Sequence, residues 1–379
     1  MRFLVNLVSF FCITFAPENN HKNFRLMRNS FLHRFCIFVV LIGLFAFSMP
    51  AKAQTEELLR SREEFRECGL GIFIHWGIYS LYGDGEWIMA QKSIHRSEYT
   101  KAASAFYPSR FNAEAWVKAI KASGAKYICF TSRHHDGFSM WDSRATDYTI
   151  VRATPYARDI LKELAEACHK EGIRLHLYYS LVDWYREDYL RGWSGPEYDK
   201  DPAKADYDSY MRFMKQQLTE LLTNYGEIGA IWFDGMWDHK EGDKLQNGEW
   251  SWRINELYEL IHALQPACLI ANNHHLVAPL PGEDIQCFER DVPGENKGGY
   301  SEGMSVSRSL PLETCETMNH SWGYSVTDTG YKTIEQIDSL RTKVAEIGAN
   351  LLLNIGPQPN GELPDKALDL LQKMSKNVH

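Results

Sequence analysis

Short apolar runs alternate along this chain with longer stretches whose apolar residues recur every three or four positions. Leu70–Trp76 (LGIFIHW) reads as a strand. Asn112 then caps a helix whose Trp116, Ala119 and Ile120 share one face. Tyr127–Thr131 (YICFT) is the next strand. Asp159 caps a second helix with Ile160, Leu161, Leu164, Ala165 and Cys168 at helical spacing, ended by Gly172. Leu175–Leu181 is a third strand, followed by a long helix near Tyr207–Tyr225. Ile228–Phe233 is a fourth strand, Trp252–Leu264 a helix and Leu269–Asn272 extended. Asp284–Phe288 (DIQCF) is a sixth strand candidate. Thr333 with Gln336 forms a capping box before Ile334, Ile337, Leu340, Val344 and Ile347, and Asn350–Ile355 closes the series.

Alternating strands and helices imply a parallel sheet with helical cover. Polar residues cluster where the apolar strands end: His75-Trp76, His134-His135-Asp136, Tyr178-Tyr179-Ser180, Asp234-Gly235, Asn273-His274-His275 and Glu289-Arg290. Chemistry spread over so many strand ends predicts the active face of an α/β, (β/α)8-like (TIM) barrel. A doubly wound sheet would concentrate it at one switch point beside a glycine-rich phosphate loop. No G-x-G-x-x-G follows a strand here.

Composition changes this picture mainly at the N-terminus. Residues 1–53 hold six Lys/Arg and one acid. Residues 27–53 have the layout of a secretory signal: Arg28 and Arg34, an apolar run from Cys36 to Ser48, and small residues at Ala51 and Ala53. We therefore expect translation from Met27, cleavage after Ala53 and an exported, periplasmic or secreted protein. The apolar run is short for a membrane span, so no insertion is expected after cleavage. The remaining 54–379 carry 35 basic and 48 acidic residues, a net of −13. That acidity argues against nucleic acid and anionic membranes, both of which require clustered cations. No Cys-x-x-Cys pair occurs, and several cysteines sit in apolar runs, which favours buried free thiols over disulfides.

Two carboxylates stand out. Asp234 ends an apolar strand amid Trp232, Phe233 and Trp237, and Glu289 ends another. A helix cap for Asp234 and a structural pair with Arg290 for Glu289 are the plain alternatives. Two acids on separate strand ends are the minimum equipment for glycoside hydrolysis. His134 and His135 are adjacent, so they reach one site only beyond the end of a strand. They suit sugar hydroxyls as neutral donors and acceptors. Zinc ligation is the alternative, with His75 or His176 as a third ligand. All 11 tryptophans lie beyond residue 53, and Trp76, Trp87, Trp232, Trp237 and Trp322 neighbour these polar residues.

The stretches GIFIHWGIYS (71–80), GEW (85–87), YICFTSRHHDGFSMWDS (127–143), LHLYYSLVDW (175–184), IWFDG (231–235), SWGY (321–324) and NLLLNIGP–NGELP (350–364) occur in one order. In this combination the chain resembles the α-L-fucosidases of glycoside hydrolase family 29, from about Gly69 to Pro364. The resemblance implies a retaining, exo-acting hydrolase of terminal α-L-fucose on fucosylated oligosaccharides or glycoconjugates, with no cofactor and no metal. It implies Asp234 as nucleophile and Glu289 as general acid/base, with Glu313 and Glu295 as fallbacks. Glu289 must start protonated, so its pKa is expected to be raised. It further implies His75, Glu86, Trp87, His134, His135 and Tyr178 around the fucose, with Trp232 and Trp322 as aromatic walls. His274 stands where other members carry Arg, and is expected at the sugar too. Residues 54–379 then form one catalytic domain, without the β-sandwich that members commonly carry after the barrel. A metal-dependent hydrolase using the histidines and a non-catalytic fucose-binding barrel are the competing readings.

Overall fold

The computed structural model describes residues 51–196, 200–245 and 248–376. The predicted start at Met27 and the apolar run Cys36–Ser48 lie outside the described residues. Ala51–Ala53 open helix α1, Ala51–Arg66. The eight strands of the main sheet follow: β1 Leu70–Ile74, β2 Tyr127–Arg133, β3 Arg174–Ser180, β4 Ala230–Asp234, β5 Leu269–Asn273, β6 Gln286–Glu289, β7 Leu312–Thr317 and β8 Ala349–Ile355. All neighbours pair in parallel, in the order β5-β4-β3-β2-β1-β8-β7-β6. A parallel bridge from Ala271 to Ile285 ties β5 to the start of β6 and brings the two edges together. The fold is the expected (β/α)8 barrel. Among the described residues no helix is long and apolar enough to cross a membrane.

Helices α2 Ala113–Ala122, α3 Ile160–Glu171, α4 Tyr207–Asn224 and α5 Ile254–Leu264 follow β1 to β4 in turn. Helices α6 Ile334–Glu346 and α7 Asp365–Lys376 follow β7 and β8. The predicted caps are present. Asn112 Oδ1 accepts from Ala115 N at 2.9 Å, Asp159 Oδ1 from Lys162 N at 2.9 Å, and the Thr333–Gln336 box closes in both directions. The connections after β5 and β6 contain no described helix.

Side chains on a strand alternate between two faces. Ile72, Ile128, Phe130, Leu177, Ile231, Phe233, Ile270 and Leu353 face outward into the helix-covered core. Phe73, Tyr127, Cys129, Tyr178, Ala230, Trp232, Ala271, Cys287, Cys315 and Leu352 fill the barrel. Gly71 is required where β1 meets Tyr127, because a Cβ there would lie 2.3 Å from the tyrosine ring. Below, α1 plugs the barrel. Phe65 packs edge-on against Tyr127 with centroids 5.3 Å apart, and Arg62 donates two hydrogen bonds to Asp284 Oδ1, at 2.8 and 2.5 Å.

Several element boundaries depart from expectation, and three of the shifts have a local cause. β1 stops at Ile74 because the Trp76 N–H turns to Thr131 Oγ1, 2.9 Å away. α5 starts at Ile254, after Arg253 adopts φ 45° and the Trp252 N–H turns to Glu241 Oε1 at 2.8 Å. β6 starts at Gln286, since Asp284 is committed to Arg62 and His262. β7, LETCET, has no counterpart in the apolar pattern. The six cysteines beyond residue 53 are all free, and five are buried.

Candidate active site

The inward positions at the C-terminal ends of the strands converge on one cavity of about 580 Å³. Asp234 is the last residue of β4 and Glu289 the last of β6. Both line the cavity, with side chains 13% and 14% exposed. Asp234 is not a helix cap: the short turn after it is capped by Gly235, at φ 93°. A Cβ at Gly235 would meet Val182 Cγ2 at 2.6 Å, so this sharp turn needs glycine.

Five groups surround the Asp234 carboxyl. Gly235 N and Trp237 Nε1 donate to Oδ1 at 2.8 and 3.0 Å, and Asn273 Nδ2 approaches the same oxygen at 3.4 Å. Tyr178 OH donates to Oδ2 at 2.9 Å, and His135 Nε2 lies 3.5 Å from it. Asn273 Nδ2 also donates to Glu289 Oε2, at 2.8 Å. One amide nitrogen thus bridges the two carboxyls. The oxygens it touches are no farther apart than those two contacts laid end to end. Burial, reinforced by the charge of Glu289, pushes the Asp234 pKa up to about 6, and hydrogen bonds from Tyr178 and Trp237 pull the other way. Arg290 does not pair with Glu289. It reaches Glu316 at 3.5 Å and the His320 carbonyl at 2.7 Å, with its guanidinium 5.0 Å from the Trp322 ring centre.

The histidines form a neutral cluster. Burial lowers the pKa of His75 and His135 to about 3 and that of His134 well below its ordinary value. The partners of His75 and His135 fix their tautomers. Asn354 donates through Nδ2 to the Trp322 carbonyl, so its Oδ1 accepts from His75 Nδ1 at 2.7 Å. Ser180 donates to the Val182 carbonyl, so its Oγ accepts from His135 Nδ1 at 2.7 Å. Each ring therefore keeps Nε2 as an acceptor. His134 Nδ1 is buried with no hydrogen-bond partner among the described residues, and its ring stacks on Tyr178 at 5.4 Å. Trp232 also stacks on Tyr178, with 5.7 Å between centroids. Glu86 accepts from Gly323 N at 2.6 Å, and burial raises its pKa. Among the described residues no three His, Cys, Asp or Glu side chains group as a metal site would require.

Of the residues expected from sequence, Asp234, Glu289, His75, Glu86, Trp87, His134, His135, Tyr178, Trp232 and Trp322 all line this cavity. His274 does not, and this corrects the expectation for it. Asn273 faces inward, so the next side chain faces out. His274 is buried there against Glu283, 3.1 Å away, beside Tyr258 and Asn272. The inward place belongs to His275, at φ 57°, whose Nε2 lies 3.3 Å from Glu289 Oε2. The two fallback acids are elsewhere. Glu313 is fully buried in the barrel below the cavity, and Glu295 lies in a separate surface depression, paired with Lys297. Asn273 and His275, noted at a strand end but given no role, line the cavity, as do Trp193 and Tyr300, which sequence reasoning missed. Strict alternation from Leu269 would have found the first two.

A family model described as α-L-fucosidase matches residues 48–379, most of the chain. The chain belongs to the α-L-fucosidase family. Among curated fucosidases it is 28% identical to that of Dictyostelium discoideum, over 88% of this chain and 74% of that protein. It is 29% identical to the human plasma α-L-fucosidase, over 79% of this chain and 63% of that one. The chain spans less than two thirds of the length of several curated fucosidases that it matches. Among solved structures, α-L-fucosidase isoenzyme 1 of Paenibacillus thiaminolyticus superposes with a TM-score of 0.73 at 34% identity, covering 85% of this chain and 76% of its own. A Lactobacillus casei α-L-fucosidase in complex with its α-L-fucose product gives 0.71 at 29% identity, covering 84% and 97%. The fucosidase motifs and the cavity-lining residues coincide: each quoted motif from FIHWG to SWGY puts at least one side chain into this one site.

Proposed function

We propose that this family member removes terminal α-L-fucose from an oligosaccharide or glycoconjugate by double displacement, after export from the cell. The carboxyl pair bridged by Asn273 carries the reading. Its end-to-end ceiling is shorter than the ~6.5–9.5 Å separation that leaves room for an inverting water, and it suits the ~5–5.5 Å of a retaining pair.

Asp234 acts as nucleophile. Its Oδ2 attacks the anomeric carbon as Glu289 gives its proton to the departing glycosidic oxygen, leaving a β-fucosyl ester on Asp234. Glu289, now ionised, takes a proton from water, and that water's oxygen displaces Asp234 to release α-L-fucose. Tyr178 OH and the donors on Oδ1 hold the carboxylate in position and stabilise its charge as the leaving group in the second step. The acceptor nitrogens of His75 and His135 and the unpartnered Nδ1 of His134 suit the sugar hydroxyls in a dry pocket. The aromatic walls suit the C6 methyl, and they disfavour a galactose whose extra hydroxyl would be left unpaired. The product-bound Lactobacillus casei relative supports fucose as the sugar.

Chemical rescue tests the assignment. Asp234→Gly should be inactive on an aryl α-L-fucoside and recover with azide, giving β-fucosyl azide. Rescue by azide at Glu313 variants, with none at Asp234, would overturn it.

A further inference from the structure

The deep part of the cavity and its mouth are built differently. His75, His134, Tyr178 and Trp232 are at most 5% exposed, whereas Trp193 is 66% and Tyr300 41% exposed. Both exposed rings line the same cavity as the carboxyl pair. Trp193 comes from the loop after β3 and Tyr300 from the loop after β6, three strands farther round the barrel.

Trp193 is exposed yet held. Its Nε1 donates to the Trp237 carbonyl at 3.0 Å and its ring centre lies 5.1 Å from that of Trp237. It also stacks on Trp87, 6.1 Å away at 25°, and Trp87 in turn meets His135 at 5.4 Å. A continuous aromatic wall therefore runs from the fucose-side histidine to the mouth. The indole's polar handle is already satisfied, so what it offers at the mouth is an apolar face. On the Glu289 side, His275 sits 3.3 Å from the carboxylate and its ring centre is 5.5 Å from that of Tyr300. On the fucosidase reading the fucose occupies the buried end, so a leaving group protonated by Glu289 departs between these surfaces.

We propose that Trp193, with Tyr300, forms the subsite for the leaving group, Trp193 taking the C–H face of a hexopyranose ring directly attached to the fucose. This rests on the fucosidase reading above. The occupant is a sugar because a pyranose has one apolar face for the indole and hydroxyls for Gln91, His320 and Ser321, the polar groups that share this cavity.

The test compares two substrates of one enzyme. α-L-Fucosyl fluoride has a leaving group too small to reach Trp193. The second substrate is whichever α-1,2-, α-1,3-, α-1,4- or α-1,6-fucosyl disaccharide the wild type cleaves fastest. In Trp193→Ala the ratio of kcat/KM for disaccharide over fluoride should fall about tenfold or more, mostly through KM, and Trp193→Phe should restore part of it. An unchanged ratio, equal losses on both substrates, or a wild type that cleaves the fluoride and no disaccharide would each overturn the subsite. A wild type that cleaves neither would overturn the fucosidase reading and the subsite with it.

Discussion

Asp234 and Glu313 point into the same barrel, one layer apart. Asp234 ends β4 at the mouth, and Trp232, two residues earlier on that strand, donates its indole N–H to Glu313 Oε1 at 2.8 Å. Burial raises both carboxyls, Asp234 to about 6 and Glu313 to about 7. By pKa alone, Glu313 is the better candidate for an acid at neutral pH. Yet its side chain is sealed. Tyr127 OH donates to Oε2 at 2.6 Å, Trp232 takes the other oxygen, and nothing of it is exposed. Asp234 keeps an open edge, a neighbouring acid and a substrate-sized cavity. A shifted pKa marks burial, and only access turns it into chemistry.

The largest effect that would break this contrast is at Asp234. Asp234→Asn should lower kcat/KM by about 10⁴-fold or more, as expected for loss of a covalent nucleophile. Glu289→Gln should cost ~10²–10⁴-fold on a fucosyl disaccharide and much less on fucosyl fluoride, whose departure needs no proton. The pH profile sharpens the point. Asp234 must be ionised to attack, so kcat/KM should fall as pH drops through about 6. After burial, the charge of Glu289 is the second cause of that raised value. Removing it in Glu289→Gln should move the acidic limb to lower pH.

The smallest catalytic effect belongs to Glu313→Gln, less than about tenfold, acting only through the seating of Trp232. Its signature lies in stability. A carboxyl whose folded pKa is raised holds its proton more tightly in the native state. Its contribution is complete below the unfolded pKa of ~4.5 and is lost as pH rises through about 7. Wild type should therefore lose on the order of 3 kcal/mol across that window that Glu313→Gln does not lose, measured by urea unfolding at pH 4.5 and pH 8. A Glu313→Gln enzyme as inactive as Asp234→Asn would erase the distinction between the two acids.

How far the chain could be read follows the same geometry. Strands with apolar residues on both faces, such as IFI and AIWF, and helices with side-chain caps were legible because their signals are local. β7 was not, since LETCET turns Glu313 inward where the pattern calls for an apolar residue. His274 was expected at the sugar from its motif alone, but alternation from Leu269, Ala271 and Asn273 aims it at Glu283 and aims His275 at Glu289. The bridging role of Asn273 depends on how β4, β5 and β6 are set around the barrel, and the exposed ring of Trp193 on the loop after β3, neither of which periodicity encodes.

Proton NMR during hydrolysis of an aryl α-L-fucoside tests the central claim most directly. Two displacements at a closely set Asp234–Glu289 pair predict that α-L-fucose appears first, with the β anomer growing in only by mutarotation. β-L-Fucose as the first product would contradict the account.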